Sequence, residues 1–327
     1  MPIPPELLAL VGPGTALLAG AGTPALAVWR LLGHDRTLLY ALLPWVGKKV
    51  DARKLQETIV AESQKAYATE LKTLAKQKDL QTQKFLKAKP TQRPLILHDL
   101  EYVEGRTREV EIKFAALQDI AANKTKLNDK KQAHPPQPIS GHWMDQFDEL
   151  VRRRNEEWRA LLLKDALVRE AQEPGSISPR VLWLIGILES EKYEVFSALL
   201  NLASSIDDRP IIPGANVHHH KMIVPGLEKR KWITGAAAVS LSDTGLIANS
   251  DVGLGLEKGE SLIGSYDGER VEFTSLAPDG YVRGILFTSL GRAVASLHKA
   301  TPNALGQELF DRWVEELIPA QFSVKRL

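Results

Sequence analysis

Chemistry at a protein site needs a few side chains of the right type brought to one point. The sequence offers few short patterns of that kind. His218-His219-His220 is the most conspicuous. Imidazoles that bind a metal converge, commonly from positions four apart on a helix. Three consecutive residues do not converge. On a strand they alternate, so His218 and His220 share one side, and no carboxylate nearby in the sequence completes a ligand set. The run reads first as a polar loop, next as a pH-sensitive or anion-contacting loop, and last as a metal site. Ser296-Leu297-His298-Lys299 has the Ser-x-x-Lys spacing of penicillin-binding enzymes without their companion motifs. Gly12, Gly14, Gly20 and Gly22 lack the Lys-Ser/Thr of a phosphate loop, and Gly253, Gly255 and Gly259 precede no helix. With no cysteine, thiolate catalysis, disulfides and Cys-type zinc sites are excluded. No catalytic, cofactor-binding or metal residue is assigned, and no small-molecule substrate is implied.

Basic side chains are the other candidates. Lys48, Lys49, Arg53 and Lys54 form one group and Lys229, Arg230 and Lys231 another, each able to touch phosphates. Arg152-Arg153-Arg154 is followed closely by Glu156 and Glu157, which points to ion pairs within a helix.

The elements that would position these groups follow from charge and texture. The 327 residues hold 42 Lys+Arg against 40 Asp+Glu, a net charge of +2. That average hides a partition. Residues 1–47 are net neutral, while 48–90 hold eleven bases against five acids and the part beyond 131 is acidic. Residues 7–29 carry no charge. As one helix they would span about 34 Å, enough for a bilayer core. Interruption by Gly and Pro favours short helices buried in a core or an oligomer, with membrane association as the alternative. The acidic Glu6 sits where a signal peptide would be basic.

From 51 to 88 the sequence has neither Gly nor Pro and is rich in Lys, Gln, Glu, Ala and Leu. This predicts a long, mostly polar helix that protrudes, pairs with a partner helix as a coiled coil, or lies on a charged surface. Pro90 and Pro94 close it, and a second run follows over 95–127. Residues 128–140, with His134-Pro135-Pro136-Gln137-Pro138, read as a linker. Further helices are expected from 141, with Ser140 as a cap, and then over 155–171, 179–188 and 189–203. Ser178-Pro179 is a helix start. Beyond Pro210 the texture changes. Strands are expected over 261–266, 270–275 and 281–288, with Asp267-Gly268 and Asp279-Gly280 as turns. Helices over 236–242, 290–298 and 303–317 flank them.

The expected fold is mostly α with a C-terminal α+β module: a helical N-terminal region with a long helix, a helical middle, and a winged-helix-like C-terminal part. The expected divisions are an apolar segment 1–47, a long helical region 48–127, a linker 128–140, a helical domain 141–209 and an α+β module 210–327.

Several motifs resemble one family. Trp143 and Phe147 stand four apart on an early helix. Glu170 ends another, before Pro174-Gly175-Ser176-Ile177-Ser178-Pro179-Arg180. An acidic, Phe-containing segment over 189–196 comes next. Gly245-Leu246-Ile247 and Leu286-Phe287-Thr288-Ser289-Leu290-Gly291-Arg292 come later. Together these resemble the uncharacterised bacterial family known as domain of unknown function 2806, tightly over about 140–200 and more loosely elsewhere. Leu163 stands where that pattern has Trp. The resemblance implies a bacterial protein and transfers no catalytic residue. Trp143, Phe147, Glu170, Pro174, Gly175, Ser176, Ser178 and Arg180 are read as structural, with Arg180 expected to pair with Glu170 or Glu173.

The expected function is a self-associating interaction or regulatory protein of the bacterial cytoplasm, a homo-oligomer peripheral to a membrane in one variant. The alternatives are a nucleic-acid-binding protein using 48–90 and the winged-helix-like module, and a membrane-associated effector acting through 7–46.

Overall fold

A computed structural model of the chain describes residues 52–122, 139–213, 216–218, 221–223, 240–248, 252–317 and 321–327. The apolar segment 7–46, the basic residues Lys48 and Lys49, the linker prolines and the Lys229-Arg230-Lys231 group lie outside these residues. The chain divides into two compact units, residues 1–186 and 187–327.

In the first unit, the long polar run forms helix α1 (Ala52–Lys87). At 1.5 Å per residue its 36 residues extend about 54 Å. Pro90 sits in the turn, where Gln92 N–H donates to Lys89 O at 2.9 Å. The chain then returns as α2 (Arg93–Ala122). The two pack along their length through a sparse apolar stripe. Tyr67 and Leu74 are buried on α1, and Val103, Val110 and Leu117 on α2. Tyr67 meets Phe114 edge-on with ring centroids 6.3 Å apart. The mean hydropathy of such helices is too low for either to hold alone; the pair and its base share one core.

That base is α3 (Gly141–Arg153), α4 (Glu157–Gln172) and α5 (Pro179–Ile187). Trp143, Met144, Phe147 and Val151 form the buried face of α3. Leu162, Leu163, Ala166 and Leu167 form that of α4. Ser140 occupies the cap position of α3 without a side-chain cap bond, its carbonyl accepting from Met144 N–H instead. Pro179 opens α5 as its first residue. Gly105 has a packing reason: a Cβ there would lie 3.1 Å from Arg152 O, so α2 and α3 approach closely only over glycine.

The expected boundary at 128–140 does not divide the compact units. The apolar stripe of α2 is covered by α3 and α4 as well as α1, so hydrophobic burial joins both sides of the linker. The division falls at Gly186/Ile187, inside the helical domain expected over 141–209.

In the second unit, α6 (Ser190–Leu202) packs on the sheet. Phe196 meets Phe287 at 5.6 Å, edge to face, and Tyr266 Oη donates to Asn201 O at 2.8 Å. These contacts give α6 the same core as the sheet. The strands are β1 (Ser204–Ile206), β2 (Arg209–Pro213), β3 (Asn216–His218), β4 (Lys221–Ile223), β5 (Val252–Leu256), β6 (Ser261–Tyr266), β7 (Glu269–Ser275), β8 (Gly280–Leu286) and β9 (Phe322–Arg326). β3 and β4 form a small hairpin; the rest make one antiparallel sheet in the order β5-β8-β2-β1-β6-β7-β9.

Asp207-Asp208 and Asp267-Gly268 turn the β1–β2 and β6–β7 hairpins at positive φ, the conformation that matches strand twist. Helices α7 (Ser289–Ala295) and α8 (Ala304–Arg312), the latter running into a wider turn at Trp313–Leu317, complete the unit. Phe310 and Trp313 seal a core with Val271, Phe273, Val282 and Phe322. The module is α+β as expected. Its sheet is larger than a three-stranded ribbon, because β1, β2, β5 and β9 extend the three strands legible in the sequence.

Candidate functional site

The most concentrated charge lies where the α1–α2 hairpin meets α3. Glu109 of α2 is fully buried, side chain included. Its Oε1 accepts from Lys113 Nζ at 2.7 Å and from Arg106 at 2.5 Å, and its Oε2 accepts from Arg152 Nε of α3 at 2.7 Å. Lys113 also reaches Asp148 at 2.9 Å, and Arg106 reaches Glu70 of α1 at 2.7 Å. Three cations and three carboxylates from three helices thus close one network. Burial opposes ionisation of Glu109. The charge and hydrogen bond of Lys113, the bond from Arg152 and the charge of Arg106 outweigh it and hold the carboxyl below its ordinary value. Asp148 goes the other way: burial raises it, against Lys113 and with the help of the Glu109 charge. The network locks the hairpin to its base at a defined register.

The sequence predicts that Arg152 pairs within its own helix, toward Glu156 and Glu157. It reaches Glu109 on α2 instead, because its side chain lies on the face that packs there. Arg153 does pair within the helix, with Glu149 at 3.1 Å, and Glu156 pairs with Arg159.

The family-like motif of the first unit closes into one knot. Trp143 stacks on Phe147 with centroids 5.3 Å apart, and its Nε1 donates to Ile177 O at 2.8 Å. Glu170 is buried at the end of α4. Its two oxygens accept from the N–H groups of Gly175 (2.7 Å) and Ile177 (2.9 Å). Pro174 and Gly175 make the turn, Gly175 at φ +87°. Ser176 N–H donates to Glu173 O, and Ser178 O accepts the first bond of α5. Glu170 is therefore a turn clamp, and its oxygens are already spent. Arg180 is exposed and, among the described residues, pairs with neither Glu170 nor Glu173. The substitution Glu170→Gln replaces one acceptor with a donor facing an amide. It is expected to lower the stability of this unit by about 1–3 kcal/mol, read as a shift in the urea midpoint; an unchanged midpoint would contradict the clamp.

Two distant motif segments meet in the second unit. Thr288 caps α7 by accepting from Gly291 N–H at 2.9 Å, and its hydroxyl donates to Gly245 O. Ile247 bridges to Phe287, and Ala248 N–H donates to Leu286 O at 2.9 Å. Nearby, His298 lies between two groups of α6, with Tyr193 Oη 3.1 Å from Nδ1 and Ser197 Oγ 3.3 Å from Nε2. Burial lowers its pKa, which favours the neutral ring. A Ser–His–Tyr set invites comparison with an acyl-transfer site. Ser197, however, stands inside α6, where backbone amides are engaged in the helix and supply no oxyanion donors. The set ties α6 to the segment after α7. No spacing rule finds it, since Ser197 and His298 are about a hundred residues apart. Ser296 and Lys299, of the Ser-x-x-Lys run, are exposed, and Ser296 Oγ donates to Ala293 O.

The turn end of the α1–α2 hairpin has a different character. Leu86 and Leu95 are more than 70% exposed, and Leu80, Leu97 and Tyr102 are also exposed. Lys84, Lys87, Lys89 and Arg93 stand among the leucines in sequence, with no acid between residues 80 and 98, while Tyr102 follows Glu101. Exposed large apolar side chains among basic ones set this end apart from the buried stripe between the two helices. Sequence periodicity missed it, because these leucines read equally well as core.

Of the other candidates, Arg53 and Lys54 lie in the first turn of α1. His218 ends β3, opposite Lys221 in register, and His219 and His220 fall outside the described residues. Among the described residues no group of three His, Asp or Glu side chains could hold a metal ion, and no helix is long and apolar enough to cross a membrane. No family model, curated protein or solved structure matches the chain.

Proposed function

We propose that this chain is a self-associating interaction and regulatory protein of the bacterial cytoplasm, akin to the family its motifs resemble. The observation that carries the reading is the hairpin end: five large apolar side chains stand in solvent on an arm that runs about 25 Å from the buried ion network at Glu70 to the turn after Lys87. A rigid arm with an apolar–basic end is suited to presenting a surface to another chain. Residues 7–46 would add a second association surface, or a membrane-peripheral one. The test is light scattering on the full-length chain beside a variant with Leu86, Leu95 and Leu97 changed to Ser. The wild type is expected to exceed monomer mass at tens of micromolar, and the variant to fall toward it. Equal, monomeric masses for both would overturn the reading.

A second reading, nucleic-acid binding, is favoured by the run of bases along α1 and its turn. In it, Lys48, Lys49, Arg53 and Lys54 would hold phosphates. The winged-helix-like part would be the segment around residues 240–243 with β6–β8, and Lys229, Arg230 and Lys231 would support it. That reading requires affinity that falls steeply with salt, and absence of retention on DNA and RNA at low salt would exclude it.

A further inference from the structure

The second unit carries a surface of opposite sign to the hairpin end. Where the β5–β8 ladder ends, at the pair Leu256 and Gly280, the two adjoining turns enclose an open groove of about 440 Å³. Glu257, Glu260 and Asp279 line it together with Leu256, Pro278 and Tyr281. All three carboxylates are in residues exposed to solvent. Lys258 stands between the glutamates in sequence but does not line the groove. Tyr281 is 41% exposed, and Leu276, in the β7–β8 turn, is 55% exposed. The floor is firm: Tyr281 N–H donates to the Gln321 side chain at 3.1 Å, and Glu260 accepts from Glu257 N–H at 2.9 Å.

We infer that this groove receives the hairpin end of a second copy of the chain. The inference rests on the self-association proposed above and names its contact. The occupant follows from complementarity. The hairpin end offers four bases without an acid and exposed leucines; the groove offers three acids beside an exposed aromatic ring, with the exposed Leu276 in the adjoining β7–β8 turn. Lys84, Lys87 and Lys89 meet Glu257, Glu260 and Asp279, and Leu86 and Leu95 cover Tyr281 and Leu276. Unlike charges steer such an encounter and fix its register, and apolar contact holds it. The contact is heterologous, since each copy brings an arm and a groove. It therefore builds either reciprocal pairs or longer chains, and both have masses above the monomer.

The experiment uses full-length protein in three forms: wild type, an arm variant (Lys84→Glu, Lys87→Glu, Lys89→Glu) and a groove variant (Glu257→Lys, Asp279→Lys). Circular dichroism confirms that each folds. Sedimentation velocity then reads self-association. Each variant alone opposes like charges and is expected to associate about ten-fold or more weakly than wild type. An equimolar mixture pairs acidic arm with basic groove and basic arm with acidic groove, and is expected to recover wild-type association within about three-fold. Raising salt weakens wild type and mixture alike. Variants that associate as wild type does, or a mixture that fails to recover, overturn the inference while self-association itself stands. A monomeric wild type overturns both. Wild type that stays monomeric yet floats with phosphatidylserine vesicles assigns the hairpin end to a lipid surface and also overturns the inference.

Discussion

Replacing Glu109 by Gln is expected to cost the first unit about 3–5 kcal/mol, the range for breaking a buried ion pair from one side. The carboxylate has no solvent exposure, and its partner Lys113 has little. Gln keeps the shape but leaves Lys113 and the inward faces of Arg106 and Arg152 without their common counter-charge. Asp148 and Glu70 remain, each in contact with only one of the three cations. The loss should appear in α1, α2 and α3 together, as faster hydrogen exchange across all three helices, with no change in the second unit. A loss confined to α2, or one below about 1 kcal/mol, would show that the network does not join the helices.

The same cluster sets a pH dependence. Glu109 is held below its ordinary value of 4.5, so its contribution is complete above that value and disappears as pH falls through its lower folded pKa. Asp148, raised above 3.8, has the opposite sign: the fold disfavours its charged form, and protonation on acidification relieves that cost. The first unit is therefore expected to tolerate mild acid and then lose stability below the ordinary carboxylate range. In Glu109→Gln that acid-dependent loss should be much reduced.

The substitution Gly291→Ala is expected to cost the second unit about 3 kcal/mol or more. A Cβ at this position would stand 1.8 Å from Leu246 O. The obstacle is backbone, and it is pinned: Thr288 bonds the adjacent Gly245 O, and Ile247 bridges to Phe287. Relief requires moving the 245–247 segment away from α7 and breaking both ties. The control is Gly268→Ala in the β6–β7 turn. There a Cβ meets nothing within 4 Å, and only the positive φ of 87° is strained, a cost of about 1 kcal/mol. Chemical denaturation of the two variants should separate them by about 2 kcal/mol. Equal costs would mean that α7 is free to shift.

The contrast between these two glycines shows what a sequence conveys. Asp267-Gly268 is a local signal: a turn residue pair between alternating strands, readable without knowing the rest of the chain. The long helices were legible for the same reason, since uninterrupted helix formers and the prolines at 90 and 94 act within a few residues. Glu109 was not legible. It is one acid among many on a polar helix, and its partner Arg152 is 43 positions away, made a neighbour only by packing. Gly291 could be quoted as part of a motif, but its reason, a close pass by residue 246, exists only in three dimensions. Strands β1, β2, β5 and β9 are short, and two of them end in residues that read as turn or tail. The division at Gly186/Ile187 was hidden because α6 is an ordinary amphipathic helix, and nothing local says which core it will join. The prolines at 135, 136 and 138 marked a connection, and burial of α2 against α3 and α4 spans it.

Self-association is the central claim, and sedimentation velocity of the full-length chain over a wide dilution series tests it most directly. The expected weight-average mass lies above 36.2 kDa and falls toward this value on dilution and on addition of salt. A mass of one chain at every concentration and every salt would contradict it.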